Sequence, residues 1–133
     1  SKRRYGDRAM KDFAVKIFKL INEKKWDELL EYFTEDSFFV FPGSSPLGGT
    51  YKGLKELKRF FRKMAIAVPD ITFTIINIID SDNFIAVQWQ NKGKTRKKVD
   101  YENYGVTIIE IANNKIVSMR DYLDTEKIIS SGK

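Results

Sequence analysis

The chain has no histidine and no cysteine, which narrows its chemistry before any element is drawn. The commonest general base, the Ser-His and Cys-His nucleophile pairs, thiolate chemistry and disulfides are excluded, as is the commonest metal ligand. Proton transfer falls to Asp, Glu, Lys or Tyr. One carboxylate stands out. Over Val99 to Thr125, VDYENYGVTIIEIANNKIVSMRDYLDT, two alternating runs flank Asn113-Asn114. Asn tolerates the positive φ that a two-residue hairpin turn needs. With that turn, Ala112 faces Lys115, Ile108 opposes Met119, Val106 opposes Asp121 and Tyr104 opposes Leu123. These residues share a face with Val117, apolar except for Glu110 near the turn and Asp121 at mid-strand. The other face carries Asn103, Thr107, Ser118, Arg120 and Asp124, mixed with Tyr101, Ile109 and Tyr122. A carboxyl group in apolar surroundings is raised in pKa and can act as a base or as a ligand's hydrogen-bond acceptor. The alternative is that Asp121 pairs with Lys or Arg, or accepts a backbone bond, and only anchors the sheet.

Other chemistries find less support. Glu35 and Asp36 are adjacent, but no histidine completes a metal set. Neither a metal nor a cofactor is expected. Gly48-Gly49 reads as a turn rather than a phosphate loop, because no Lys-Ser/Thr follows. The net charge is +6, with basic clusters over Lys52 to Lys63 and Lys92 to Lys98. They read as a solvated helix face and a hairpin loop. A nucleic-acid patch is the sharper alternative, but no aromatic residue interleaves with Lys92 to Lys98 and no binding motif appears. No apolar run approaches the roughly 20 residues of a membrane span and no signal peptide is visible. A cytoplasmic protein without a membrane partner is expected.

The positioning elements follow from periodicity. At 133 residues the chain suits one domain, residues 1–133. Asp7 can cap a helix to Asn22, with Met10, Phe13, Ala14, Ile17, Phe18 and Ile21 in one stripe. A short helix is predicted over Trp26 to Phe33, a strand over Ser37 to Phe41 and an irregular loop over Pro42 to Gly49. Gly53 opens a third helix to Ala67, with Leu54, Leu57, Phe60, Phe61 and Met64 inward. Trp26, Phe33, Phe39 and Phe41 belong with them in the core. From Ile71 the pattern alternates by two: Ile71 to Ile79, a turn at Asp80 to Asn83, Phe84 to Asn91, then the hairpin. The last residues, Glu126 to Lys133, read as a short helix. Three N-terminal helices followed by a four-strand meander make an α+β fold with helices covering one sheet face.

The segments WDELLEYFTED, FPGSSPLGGTYKG and NKIVSMRDYLDT, in this order, resemble the SnoaL-like family of the nuclear transport factor 2-like (cystatin-like cone) superfamily. The resemblance implies a strongly curved antiparallel sheet wrapped around helices, a pocket inside the cone, and often a homodimer through the outer sheet face. It allows known sites to be tested position by position. The catalytic Asp of the ketosteroid isomerases would fall on Phe41, their oxyanion-hole Asp on Val106 and their Tyr on Ile17. All three are apolar, so that activity is not expected. The end RDYLD resembles the limonene epoxide hydrolases, where Asp121 matches one Asp of an Asp-Arg-Asp set. The Arg and second Asp fall on Gln88 and Gln90, and the water-holding Tyr and Asn on Phe39 and Phe41. Epoxide hydrolysis is not expected either. SnoaL-type polyketide cyclases rely on one Asp base in a shaped apolar pocket, a role open to Asp121.

The reading that results is a pocket protein for a hydrophobic small molecule, with Asp121 as the only acid-base candidate for a cyclase, isomerase or lyase. Gln88, Gln90, Tyr104, Val106, Met119, Phe41 and Ile17 are expected around the ligand. Hydropathy conflicts with part of this, since it turns Ile85, Val87 and Trp89 inward rather than the two glutamines. Both orientations can coexist if the outer face is buried in a homodimer, through Tyr101, Ile109, Ile111, Tyr122 and Trp89. The rival reading is a non-catalytic ligand-binding or dimerisation module.

Overall fold

The structure, a computed structural model, describes residues 8–131. Helices α1 (Ala9–Asn22) and α2 (Trp26–Leu30) precede strands β1 (Phe33–Phe41) and β2 (Gly49–Lys52). Helix α3 (Gly53–Ala67) leads into β3 (Thr72–Ser81), β4 (Phe84–Lys94), β5 (Asp100–Ala112) and β6 (Lys115–Leu123), followed by α4 (Thr125–Ser131). The fold is α+β, as the change of periodicity near Ile71 predicts. The strands form one open sheet in the order β2-β1-β6-β5-β4-β3. Register breaks in β1, β3 and β6 bend it, as inserted residues do.

Several boundaries differ from expectation. The second helix stops at Leu30 and β1 begins at Phe33, because the Ile116 N–H donates to Tyr32 O (2.7 Å) and draws the chain beside β6. β1 and β6 run parallel. The presumed loop gives way at Gly49 to a short strand that the pattern did not predict, β2, paired with β1 through Phe39↔Tyr51. The expected C-terminal helix is α4, which begins one residue earlier, at Thr125, and makes four helices among the described residues. Asp7, the expected cap, lies outside them. Arg8 holds the N-cap position and makes no side-chain cap bond.

Helix α1 ends on Lys24 at φ 57°. Its N–H donates to Ile21 O, and that of Lys25 to Leu20 O, closing the last turn in the left-handed way usually left to glycine. Just before it, Asn22 pairs with β3: its Nδ2 donates to Phe73 O (2.9 Å) and its Oδ1 accepts from Phe73 N (2.7 Å). These bonds tie the helix to the sheet edge. Ala14, Ile17, Phe18 and Ile21 of α1 and Leu57, Phe60, Phe61 and Met64 of α3 are buried against the sheet. Phe60 touches the rings of Phe39, Phe41 and Tyr51, with centroids 4.4, 5.4 and 5.0 Å away. No helix among the described residues is long and apolar enough to cross a membrane.

The hairpin turns where predicted, with Asn113 at φ 53° and Asn114 at φ 61° and Ala112 opposite Lys115. Its register then breaks. Ile111 pairs with Ile116, but Glu110 pairs with Ser118, so Val117 is an inserted residue. Beyond it, every β5 residue meets a β6 partner one position further on. Asp121 therefore pairs with Thr107, not Val106, and Leu123 with Gly105, not Tyr104. A one-residue slip reverses which face of one strand joins which face of the other.

Candidate functional site

Asp121 is buried on the inner face of β6, where two cavities meet. The larger is an open pocket of about 410 Å³, within the usual span for small-molecule sites. Its wall is mainly apolar, formed by Phe41, Met64, Val68, Phe73, Trp89 and Leu123. Exposed residues of the lining form the mouth: Pro46, Ile66, Arg96 and Lys97. The smaller cavity, about 20 Å³, has Phe39, Met119 and Thr107 among its walls.

A chain of two hydrogen bonds fixes the carboxyl group. Trp89 Nε1 lies 2.9 Å from Thr107 Oγ1, which lies 2.6 Å from Asp121 Oδ1. The indole N–H only donates. The Thr107 hydroxyl must accept it and spend its own proton on Asp121. Both partners come from neighbouring inward rows, since Val87, Thr107 and Asp121 stand abreast, as do Trp89, Gly105 and Leu123. Gly105 makes this possible. A Cβ there would come within 2.6 Å of Cη2 and Cζ2 of Trp89, so the indole lies across a gap that only glycine leaves.

Burial pushes the Asp121 carboxyl up to about 7, while the Thr107 hydrogen bond works in the opposite direction. Burying an anion without a countercharge is costly. The group thus titrates near neutrality, as a proton shuttle requires.

Tyr101 and Asn91 are among the further polar side chains that line the pocket. Tyr101 is buried, and its Oη accepts from Asn103 Nδ2 (2.9 Å), leaving the phenol proton available to a ligand. Desolvation raises its pKa, offset in part by the Asn103 bond, and the charge of Asp121 adds to the rise. Asn91 is only 3 % exposed, and its Oδ1 has no hydrogen-bond partner. An orphaned acceptor costs about 1–3 kcal/mol. Asn91→Leu is therefore expected to raise the stability of the ligand-free protein by about 1 kcal/mol, read as a higher urea midpoint at unchanged slope. A lower midpoint would mean that the amide is satisfied.

The expected residues divide. Asp121 and Phe41 line the pocket, and Met119 lines the small cavity beside Asp121. Ile17 is fully buried in the core and lines neither. Gln88, Gln90, Tyr104 and Val106 do not surround Asp121, which corrects that expectation. Ile85, Val87, Trp89 and Asn91 take the inner face of β4, so the glutamines between them face outward. Gln90 Nε2 donates to Glu102 Oε2 (2.8 Å). Tyr104 and Val106 follow the outer face of β5 once the Val117 insertion sets the register. Thr107, Trp89, Asn91 and Tyr101 are the polar groups at the site that the register argument missed. Hydropathy did point to Trp89, through the Ile85-Val87-Trp89 alternation. Among the described residues, no group of three or more Asp, Glu, His or Cys side chains is placed to hold a metal ion.

An open, bent sheet folded over helices around a pocket describes a class of small α+β proteins, and sequence comparison gives the family. Residues 14–119 match the SnoaL-like domain family, to which the chain belongs. Asp121 lies just past the matched stretch. No curated protein matches in sequence. Solved structures share the fold. A nuclear transport factor 2-like protein of unknown function from Burkholderia pseudomallei is 20% identical, with a TM-score of 0.83 over 90% of this chain and 93% of that one. A putative SnoaL-like polyketide cyclase from Jannaschia is 13% identical, with a TM-score of 0.83 over 98% and 96% of the two chains. TerC, co-crystallised with polyporic acid, is 16% identical, with a TM-score of 0.80 over 90% and 94%.

Proposed function

We propose that the chain binds an apolar small molecule in this pocket and acts on it as a cyclase, isomerase or lyase, with Asp121 as the base. The observation that carries the reading is the inward carboxyl of Asp121, oriented by Thr107 at the floor of an open apolar pocket. A carboxylate so placed takes a proton from a carbon next to a carbonyl. The C–H electron pair moves into an enolate, and the developing oxyanion can accept the free proton of Tyr101 as a hydrogen bond. Return of the proton at another carbon gives an isomer, and attack of the enolate carbon on a second carbonyl closes a ring, the new alkoxide taking the proton back from Asp121. The neighbours named as a putative SnoaL-like polyketide cyclase and as a complex with polyporic acid support an organic ligand in a cone of this kind. A non-catalytic module would not need the orienting chain from Trp89 to Asp121.

Native mass spectrometry of the purified protein tests the pocket. The expected result is a retained small-molecule mass on the wild type that is absent from Leu123→Trp, a variant that fills the cavity. Equal spectra would count against ligand binding there.

The reading includes a homodimer through the outer sheet face, where Tyr122 alone remains of the residues first expected. Trp89, Tyr101 and Ile109 are buried on the inner face, and Ile111 packs against the core. The outer face instead presents Tyr104 (56 % exposed), Tyr122 (55 %) and Phe84 (45 %), beside Val106 and Ile108. An apolar patch of this kind commonly marks an interface. Light scattering at micromolar concentration should give twice the chain mass for the wild type and the single mass for Tyr122→Asp. A monomeric wild type would refute the dimer.

A further inference from the structure

The charges around the pocket are segregated. Of its lining residues, the acid Asp121 lies on the floor, whereas Lys63, Arg96 and Lys97 are cationic and the last two stand at the exposed mouth. Lys63 is held in place without being neutralised. Its Nζ donates to Pro46 O (3.2 Å) and lies 3.5 Å from Tyr51 Oη, above that ring. Among the described residues, neither Lys63 nor Arg96 has a carboxylate partner. Several acids of the adjoining segments have partners of their own. Asp70 accepts from Lys94 N (2.7 Å), Asp100 pairs with Lys94, and Glu102 pairs with Lys92. Lys63 and Arg96, set along an apolar opening with no carboxylate partner, make a receptor for an anion.

The interior adds length and a second polar contact. On β4, Asn91 stands four residues nearer the mouth than Val87, which is abreast of Asp121. At the rise of a strand that is about 13 Å. The path between is walled by Trp89, Phe73 and Leu123. The orphaned Oδ1 of Asn91 waits along this path for a donor.

We propose that the pocket takes an elongated anionic amphiphile, its acid group held at the mouth by Lys63 and Arg96 and its apolar body running inward over Trp89 toward Asp121. A hydroxyl partway along such a body would satisfy Asn91. The proposal rests on the pocket reading above and narrows the ligand class. It also gives Asp121 a reaction centre far from the substrate's own charge, so that the anion does not oppose ionisation of the base.

Decanoate, decanol and decylamine share one chain and differ in head group. Their binding can be followed by calorimetry at low salt. Decanoate should bind about tenfold more tightly than decanol, and decylamine most weakly. Added salt should shrink the preference, because the mouth is exposed. In the Lys63→Gln/Arg96→Gln double variant, decanoate should fall to the affinity of decanol. Equal binding of decanoate and decanol to the wild type, or a preference that survives in the double variant, would overturn the anionic assignment and leave the pocket reading intact. Phosphatidylglycerol vesicles should not compete with decanoate. Competition would mean that the cations read a lipid surface, which also overturns the proposal. If none of the three probes binds, both readings fall together.

Discussion

Asp121→Asn is expected to be more stable than the wild type by about 3 kcal/mol above pH ~8, with the gap closing as pH falls and reversing by about 1 kcal/mol below pH ~4. The sign follows from the direction of the shift. The folded carboxyl is raised from 3.8 to about 7 by burial. Below the unfolded value both states hold the proton, and the group makes no pH-dependent demand. Between the two values the folded state holds a proton that the unfolded state releases, so stability falls as pH rises through that window. Above it the folded protein contains a buried anion. About three pKa units correspond to about 4 kcal/mol. An amide keeps the acceptor for Thr107 but brings donors of its own into a dry site, which returns about 1 kcal/mol. Urea unfolding at a series of pH values measures the difference. A gap independent of pH would mean that the carboxyl is not buried as described.

The same substitution separates anchor from base. If Asp121 only held the sheet, its loss would lower stability. If it shuttles a proton, Asp121→Asn folds and binds, while any turnover drops by about 100-fold or more. Asp121→Leu is a stricter case. It also abolishes the buried charge, but it orphans the Thr107 hydroxyl, which now has no acceptor. It should therefore be less stable than Asp121→Asn by about 1–2 kcal/mol.

Gly105→Val is expected to destabilise the protein by about 3 kcal/mol and to uncouple Trp89 from the site. The new Cβ would meet the Trp89 ring at 2.6 Å and Tyr122 O at 2.8 Å. Neither neighbour can move freely. Tyr122 O belongs to the β6 backbone, and Trp89 is 1 % exposed and packed edge-on against Phe73 with centroids 4.9 Å apart. If the indole shifts, the Nε1 bond to Thr107 breaks, and with it the orientation of the hydroxyl that Asp121 uses. Trp89→Leu removes the opposing ring, so the double variant should lose less than the sum of the two single changes. Additive losses in urea unfolding would show that Gly105 and Trp89 do not share one space.

Much of this arrangement was readable from local pattern. Helix α3 begins and ends where its stripe does, because Leu57, Phe60, Phe61 and Met64 demand a single buried side. The turn falls on Asn113-Asn114 because few other residues accept left-handed backbone. Asp121 was recognisable as an inward acid because its neighbours two residues away, Met119 and Leu123, are apolar, and alternation along one strand needs no partner. Its company was not recognisable. Both faces of β5 carry apolar residues, Ile109 and Ile111 on one and Val106 and Ile108 on the other, so hydropathy does not choose between them. The choice falls to the extra residue at Val117, whose insertion is a matter of pairing between strands and of the bend the sheet needs to close around α1 and α3. That single residue exchanges Val106 for Thr107 beside Asp121, and an apolar neighbour for a hydrogen-bond donor.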